Sequence, residues 1–136
     1  MYYKFLSLIL AVFLTIGVYA QDRATPDPEI RKAKIEFVTG SMSLTQPQMQ
    51  QFLPLYNRYS DELLFQKRAL KDLSKNPDSK YTVDQRQKIE QKMVDIKARY
   101  KNDFLKIISS QQLAAMYKAE EEFKLKMIER FKHEKR

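Results

Sequence analysis

The chain has 136 residues, with 25 Lys and Arg against 17 Asp and Glu for a net charge of +8, two glycines, no cysteine and no tryptophan. That length without a composition break predicts one domain, and the lack of cysteine excludes a disulfide framework, a lipoprotein attachment site and a thiolate metal centre. Scarce glycine and the absence of any strand-length alternating pattern give an all-α reading.

Lys4, the apolar run Phe5 to Val18 and the small-residue exit Val18-Tyr19-Ala20 read as a secretory signal peptide over residues 1–20, cleaved after Ala20. An uncleaved anchor is the alternative, although the run is shorter than the ~20 residues a spanning helix needs. Export would place the protein outside the cytoplasm. Loss of Lys4 with the signal leaves 24 basic and 17 acidic residues, a mature charge of +7. In the cytosol such a charge would suggest nucleic acid. Outside it, the acidic partners are membrane surfaces, envelope polymers and exported proteins caught before folding, so no nucleic-acid partner is expected.

Residues 21–28 form a flexible, proline-containing leader, and residues 29–131 a single helical domain. Asp27 as N-cap and Pro28 at the first helical position open a short helix. Ile30, Ala33, Phe37 and Val38 recur along it at helical spacing, and Gly40, the one glycine of the mature chain, is its stop.

The second helix begins with Leu44-Thr45-Gln46-Pro47-Gln48-Met49. Thr45 and Gln48 are placed for a capping box and Leu44 and Met49 for a hydrophobic staple; Pro47 costs no bond within the first turn. The helix runs to about Ser74, with Asn76-Pro77-Asp78 as terminator and a kink expected near Pro54. Met49, Phe52, Tyr56, Tyr59, Leu63, Leu70 and Leu73 form a heptad-like seam for a second long helix.

Thr82 and Gln85 suggest a third capping box opening the third helix, whose seam is Ile89, Met93, Ile96, Tyr100, Phe104 and Ile107. The fourth helix starts at a looser copy of the first motif, Ile108-Ser109-Ser110-Gln111-Gln112-Leu113, with Ser109 as cap and Gln112 as its partner. It carries Leu113, Met116, Tyr117, Phe123, Met127, Ile128 and Phe131. The two copies stay in step beyond the caps: Phe52 matches Met116, Tyr59 matches Phe123 and Leu63 matches Met127, whereas Tyr56 falls opposite Glu120. Four acid-before-base pairs at i,i+4 add modest helix support: Asp84 with Lys88, Asp95 with Arg99, Glu120 with Lys124, and Glu122 with Lys126. Residues 132–136 are a basic tail expected to fray.

Leu44-Thr45-x-x-Gln48, its copy Ile108-Ser109-x-x-Gln112, the export signal, the four helices and the basic balance together resemble the LTxxQ-motif (Spy/CpxP-like) family of periplasmic proteins, including the subgroup labelled sensors of ECF-type sigma factors. The resemblance implies a cradle-shaped helical homodimer, free of cofactors, that holds partly unfolded exported proteins without nucleotide. It equally admits an envelope-stress regulator docking on a membrane sensor or anti-sigma partner.

Candidate client-binding residues are Leu64, Lys67, Arg68, Lys71 and Lys75 on one face of the second helix, the off-seam Leu55 and Phe65, and Lys88, Lys92 and Arg99 on the third. Structural readings stand beside these: the apolar residues as core or dimer contacts, the basic stripes as solvated helix faces. His133 is the only histidine and has no cysteine to assist it, so no transition-metal site is expected. Glu120, Glu121 and Glu122 read as a solvated face. With no nucleophile beside a base and no glycine-rich phosphate loop, the chain is not expected to be an enzyme.

Overall fold

In the computed structural model, residues 27–75, 77 and 80–136 are described. The expected signal peptide, most of the leader, and Asn76 and Asp78 of the expected terminator lie outside the described residues. Among those described, the chain is helical in four segments and contains no strand: α1 Pro28–Gly40, α2 Gln46–Leu73, α3 Lys80–Leu105 and α4 Ser110–Glu134. The all-α expectation holds. The chain divides into two compact units, residues 1–32 and 33–136. Of the first, only the opening of α1 is described, where the Asp27 carboxylate accepts from the Glu29 amide at 2.9 Å.

The second unit is organised by two matching helix starts. Thr45 Oγ1 accepts from the Gln48 amide at 3.3 Å while Gln48 Oε1 accepts from the Thr45 amide at 3.0 Å. Ser109 and Gln112 repeat this at 3.1 and 2.9 Å. Each capping box satisfies two amides that the first turn leaves without helical partners. The two starts are also joined to each other. Gln48 Nε2 donates to Gln112 Oε1 and Gln112 Nε2 donates to Gln48 Oε1, both at 3.0 Å across 64 residues. The remaining amide protons go to the Ile107 carbonyl at 3.3 Å and the Ser43 carbonyl at 3.4 Å. Each amide thus places both donors and fills both acceptor sites of its oxygen.

From this junction α2 and α4 run in the same direction, and equivalent positions of the repeat stay close. Phe52 and Met116 are both fully buried, and Tyr56 donates to Glu120 at 3.1 Å. The position that breaks the sequence correspondence is a direct bond between the two copies.

The most extensive helix contact is between α2 and α3, which pack antiparallel. Their seam is aromatic: Phe52 meets Phe104 at 5.5 Å, and Tyr59 meets Phe104 at 5.4 Å and Tyr100 at 5.5 Å, ring centre to ring centre. Phe52, Tyr56, Tyr59, Leu63, Ile89, Ile96, Tyr100 and Phe104 are buried as the periodicity predicts. α2 continues through Pro54 as one helix.

Several local expectations give way to longer-range contacts. Thr82 is not an N-cap: α3 begins at Lys80, and Thr82 lies inside it at 5% exposure. Its spacing from Ile89 and Ile96 puts it on the buried stripe, and burial of that stripe outweighs a local cap. Gly40 ends α1 without a positive φ, and the left-handed residue of the connection is Ser43 at φ 53°. Ile107 lies past the end of α3, half-buried in the link to α4. The tail does not start at residue 132, since α4 continues to Glu134, which accepts from Arg130 at 3.2 Å.

The acid–base pairs are exchanged as well. Arg99 reaches Glu62 on α2, and Asp95 accepts from Gln91 at 2.9 Å. Lys124 pairs with Glu121 and Lys118 with Glu122, both at 3.8 Å, while Lys126 sits 4.6 Å from the centre of the Phe37 ring. Exposed i,i+4 pairs contribute only ~0.3–0.5 kcal/mol, so a competing contact readily displaces them.

The α4 seam holds only in part of its first half, where Leu113, Met116 and Ala119 are buried but the expected Tyr117 is exposed. Beyond Glu120, Phe123 and Met127 are half-buried and Ile128 and Phe131 are exposed. The packing predicts unequal responses to truncation. Phe104→Ala, at a fully buried site, should destabilise by ~3–5 kcal/mol, and Ile128→Ala by under ~1 kcal/mol. Urea midpoints of the two variants check the contrast.

Candidate functional site

Two polar nodes and one exposed face lie along these helices. The first node surrounds Glu120. Its carboxylate, only 17% exposed, accepts from Tyr56 and pairs with Lys34 of α1 at 3.6 Å. It is therefore an interhelical acceptor and not part of the solvated face expected for Glu120, Glu121 and Glu122. Burial, reinforced by the Glu120 charge, holds the Tyr56 and Tyr59 hydroxyls well above the usual tyrosine range. Lys67 is pulled below the usual lysine range by partial desolvation and by the like charge of Lys34, with Lys97 and Lys124 adding to it and Glu120 opposing. Lysines of the other three helices thus act together on Lys67.

The second node is at Glu62, which accepts from both Arg99 and the Tyr100 hydroxyl. Burial and the bond to Glu62 raise Tyr100 above the usual tyrosine range. Lys92 and Arg99 line a shallow groove here with Glu62, Gln66, Asp95 and Ile96. Two of the candidate cations are therefore brought together, but opposite two carboxylates, so the expected basic stripe is locally neutralised. Lys88 is exposed farther along α3, in a second groove with Asp84, Gln87 and Gln91.

The remaining candidates divide by burial. Leu55 is part of the core at 7% exposure and faces α2's neighbours rather than solvent. Leu64 and Arg68 are half-buried. Phe65, by contrast, is 66% exposed, with Lys67 and Lys71 exposed on the same helix. Lys75 is exposed and pairs with Asp72 at 3.1 Å. The six cap-motif residues all lie at the two helix starts, Leu44 packing against the core and Ile108 within it.

Comparison with family models, curated proteins and solved structures finds no match to this chain. What the site can do must be read from its own residues.

Tyr81, Val83 and Val94 on α3 are more than half exposed, and sequence reasoning passed over them. The available signal was their position off the Ile89–Ile96–Tyr100 seam, beside Lys80 and Lys97. Lys34 and Glu120 were also missed as a pair, because they lie on different helices and no spacing rule connects them. Together, α2 and α3 offer separated apolar side chains set among cations: a surface suited to weak, adaptable contact with an extended acidic chain.

The perturbed tyrosines give a pH signature. Unfolded, Tyr56 and Tyr59 ionise near pH 10; folded, they keep their protons to higher pH, so the native state binds more protons and stability falls as pH rises above that value. Lys67 acts oppositely, its lowered folded pKa making stability rise with pH until the unfolded lysine titrates. Urea midpoints between pH 8 and 11 should decline above pH 10, and Tyr56→Phe should make the decline shallower. A profile unchanged by that substitution would contradict the assignment.

Proposed function

We propose that this chain is an exported, ATP-independent, chaperone-like protein of the LTxxQ (Spy/CpxP-like) kind, acting as a homodimer in the periplasm. It binds partly unfolded envelope proteins through basic and apolar helix faces. The observation that carries this reading is Phe65, an aromatic ring 66% exposed on a helix whose opposite face buries Tyr56, Tyr59 and Leu63, with the half-buried Arg68 one turn on and the exposed Lys71 on the flank beyond it. Burying such a ring contributes at most ~1.5–3 kcal/mol, enough to hold an unfolded segment briefly and too little to stop it folding. The positive charge of the exported chain, net +7 without residues 1–20, draws acidic segments in at long range and speeds capture.

Val83 and Val94 on α3 would extend the surface in the same style, apolar points separated by cations, and Leu64 would contribute its exposed part. Leu55 is not included, since it is core. The caps and the glutamine junction take no part in binding; they fix where the long helices start and hence which side chains face outward.

Light scattering of an acidic client during thermal unfolding tests the proposal. At stoichiometric ratio the protein should suppress aggregation, Phe65→Ser and the pair Arg68→Glu with Lys71→Glu should each reduce the suppression, and ~0.5 M salt should slow capture. No suppression by the unmodified protein would reject the reading.

A further inference from the structure

The last turns of α4 form a second surface, separate from the candidates on α2 and α3. Leu125 is 59%, Ile128 42% and Phe131 48% exposed, although Phe123 and Met127 on the neighbouring face are half-buried and the Phe123 ring lies 5.9 Å from that of Phe37. Helical spacing puts Leu125, Ile128 and Phe131 on one arc. The exposed Lys124, Lys132 and Lys135 fall on the same arc, between and beside the apolar residues rather than along its margins. Glu121 falls on the arc one turn before Leu125 and is matched by Lys124 at 3.8 Å, and the exposed Glu129 lies at the arc's edge beside Leu125. Glu122 and Glu134 lie off the arc, paired with Lys118 and Arg130.

We propose that this face of α4 docks on an anionic lipid surface. The interleaving decides between occupants. A second helix, from another copy or another protein, would have to desolvate lysines lying within the apolar arc, which is costly without buried partners. At a bilayer surface the same arrangement is favourable: the apolar side chains enter the headgroup boundary, the lysine stems lie along them, and the ammonium groups reach back to lipid phosphates. Each cation near an anionic surface strengthens binding several-fold. The face lies parallel to the membrane and does not cross it. A chaperone held there would meet exported chains as they emerge, but the docking does not depend on that activity.

The chain has no tryptophan, so Phe131→Trp in the full chain introduces a single local reporter. This matters because the apolar run Phe5 to Val18 can bring the chain to vesicles by itself. The indole emission should shift to the blue on adding phosphatidylcholine vesicles containing phosphatidylglycerol, and the shift should diminish with salt. It should be lost when Lys124→Gln, Lys132→Gln and Lys135→Gln are added. A Phe65→Trp reporter should not shift. The proposal is overturned by no shift on anionic vesicles, by an equal shift on pure phosphatidylcholine, or by a shift that survives the three glutamine substitutions. A blue shift without vesicles that grows with protein concentration would assign the face to a second copy and overturn it as well.

Discussion

The reciprocal amide contact between Gln48 and Gln112 is the constraint from which the rest of the second unit follows. Each glutamine caps its own helix start and, with its remaining donors, closes on the other glutamine and on the carbonyl preceding the other start. A side chain that only capped would leave α2 and α4 free to begin at unrelated heights. Here the two helices must begin level. That register brings Tyr56 opposite Glu120 and buries Phe52 and Met116 at equivalent depth. Because every donor and acceptor of both amides is used, losing either side chain strands groups on the other, and stranded part-buried polar groups are costly.

Helix starts and the α2–α3 seam were legible in the sequence because both are fixed by short-range rules: a hydroxyl three residues from a glutamine, apolar residues stepping by threes and fours. Two of the three expected capping boxes formed, and the aromatic seam from Phe52 to Phe104 packed as its spacing required. The failures share one cause. Thr82, Arg99, Glu120 and Lys126 each had an attractive local role, and each was diverted by a partner distant in sequence or by burial on a stripe. The second half of α4 misled differently. Its apolar spacing is as regular as that of the first half, but periodicity states which residues share a face and not whether another helix lies against it.

The same distinction separates the candidate surface residues. Leu55 and Phe65 were equivalent on the sequence, two apolar residues off the seam. In the structure Leu55 joins the core and Phe65 stays in water, since the side of α2 flanking the seam is covered and the far side is not. Cations were ambiguous for a related reason: net charge says nothing of pairing. Arg99 is matched by Glu62 across the helix pair, while Lys67 stands among lysines of the other three helices. Phe65 and Lys67, two residues apart, accordingly lie on opposite sides of α2, the ring toward water and the lysine toward the other helices.

The register claim is tested most directly by a double-mutant cycle on Gln48→Ala and Gln112→Ala, with unfolding free energies from urea titration. If the two amides act as one junction, each single substitution costs ~1–3 kcal/mol and the second costs markedly less once the first is made, giving a coupling of ~1 kcal/mol or more. Costs that simply add, to within ~0.5 kcal/mol, would mean that each glutamine serves only its own helix and that the level start of α2 and α4 has another origin.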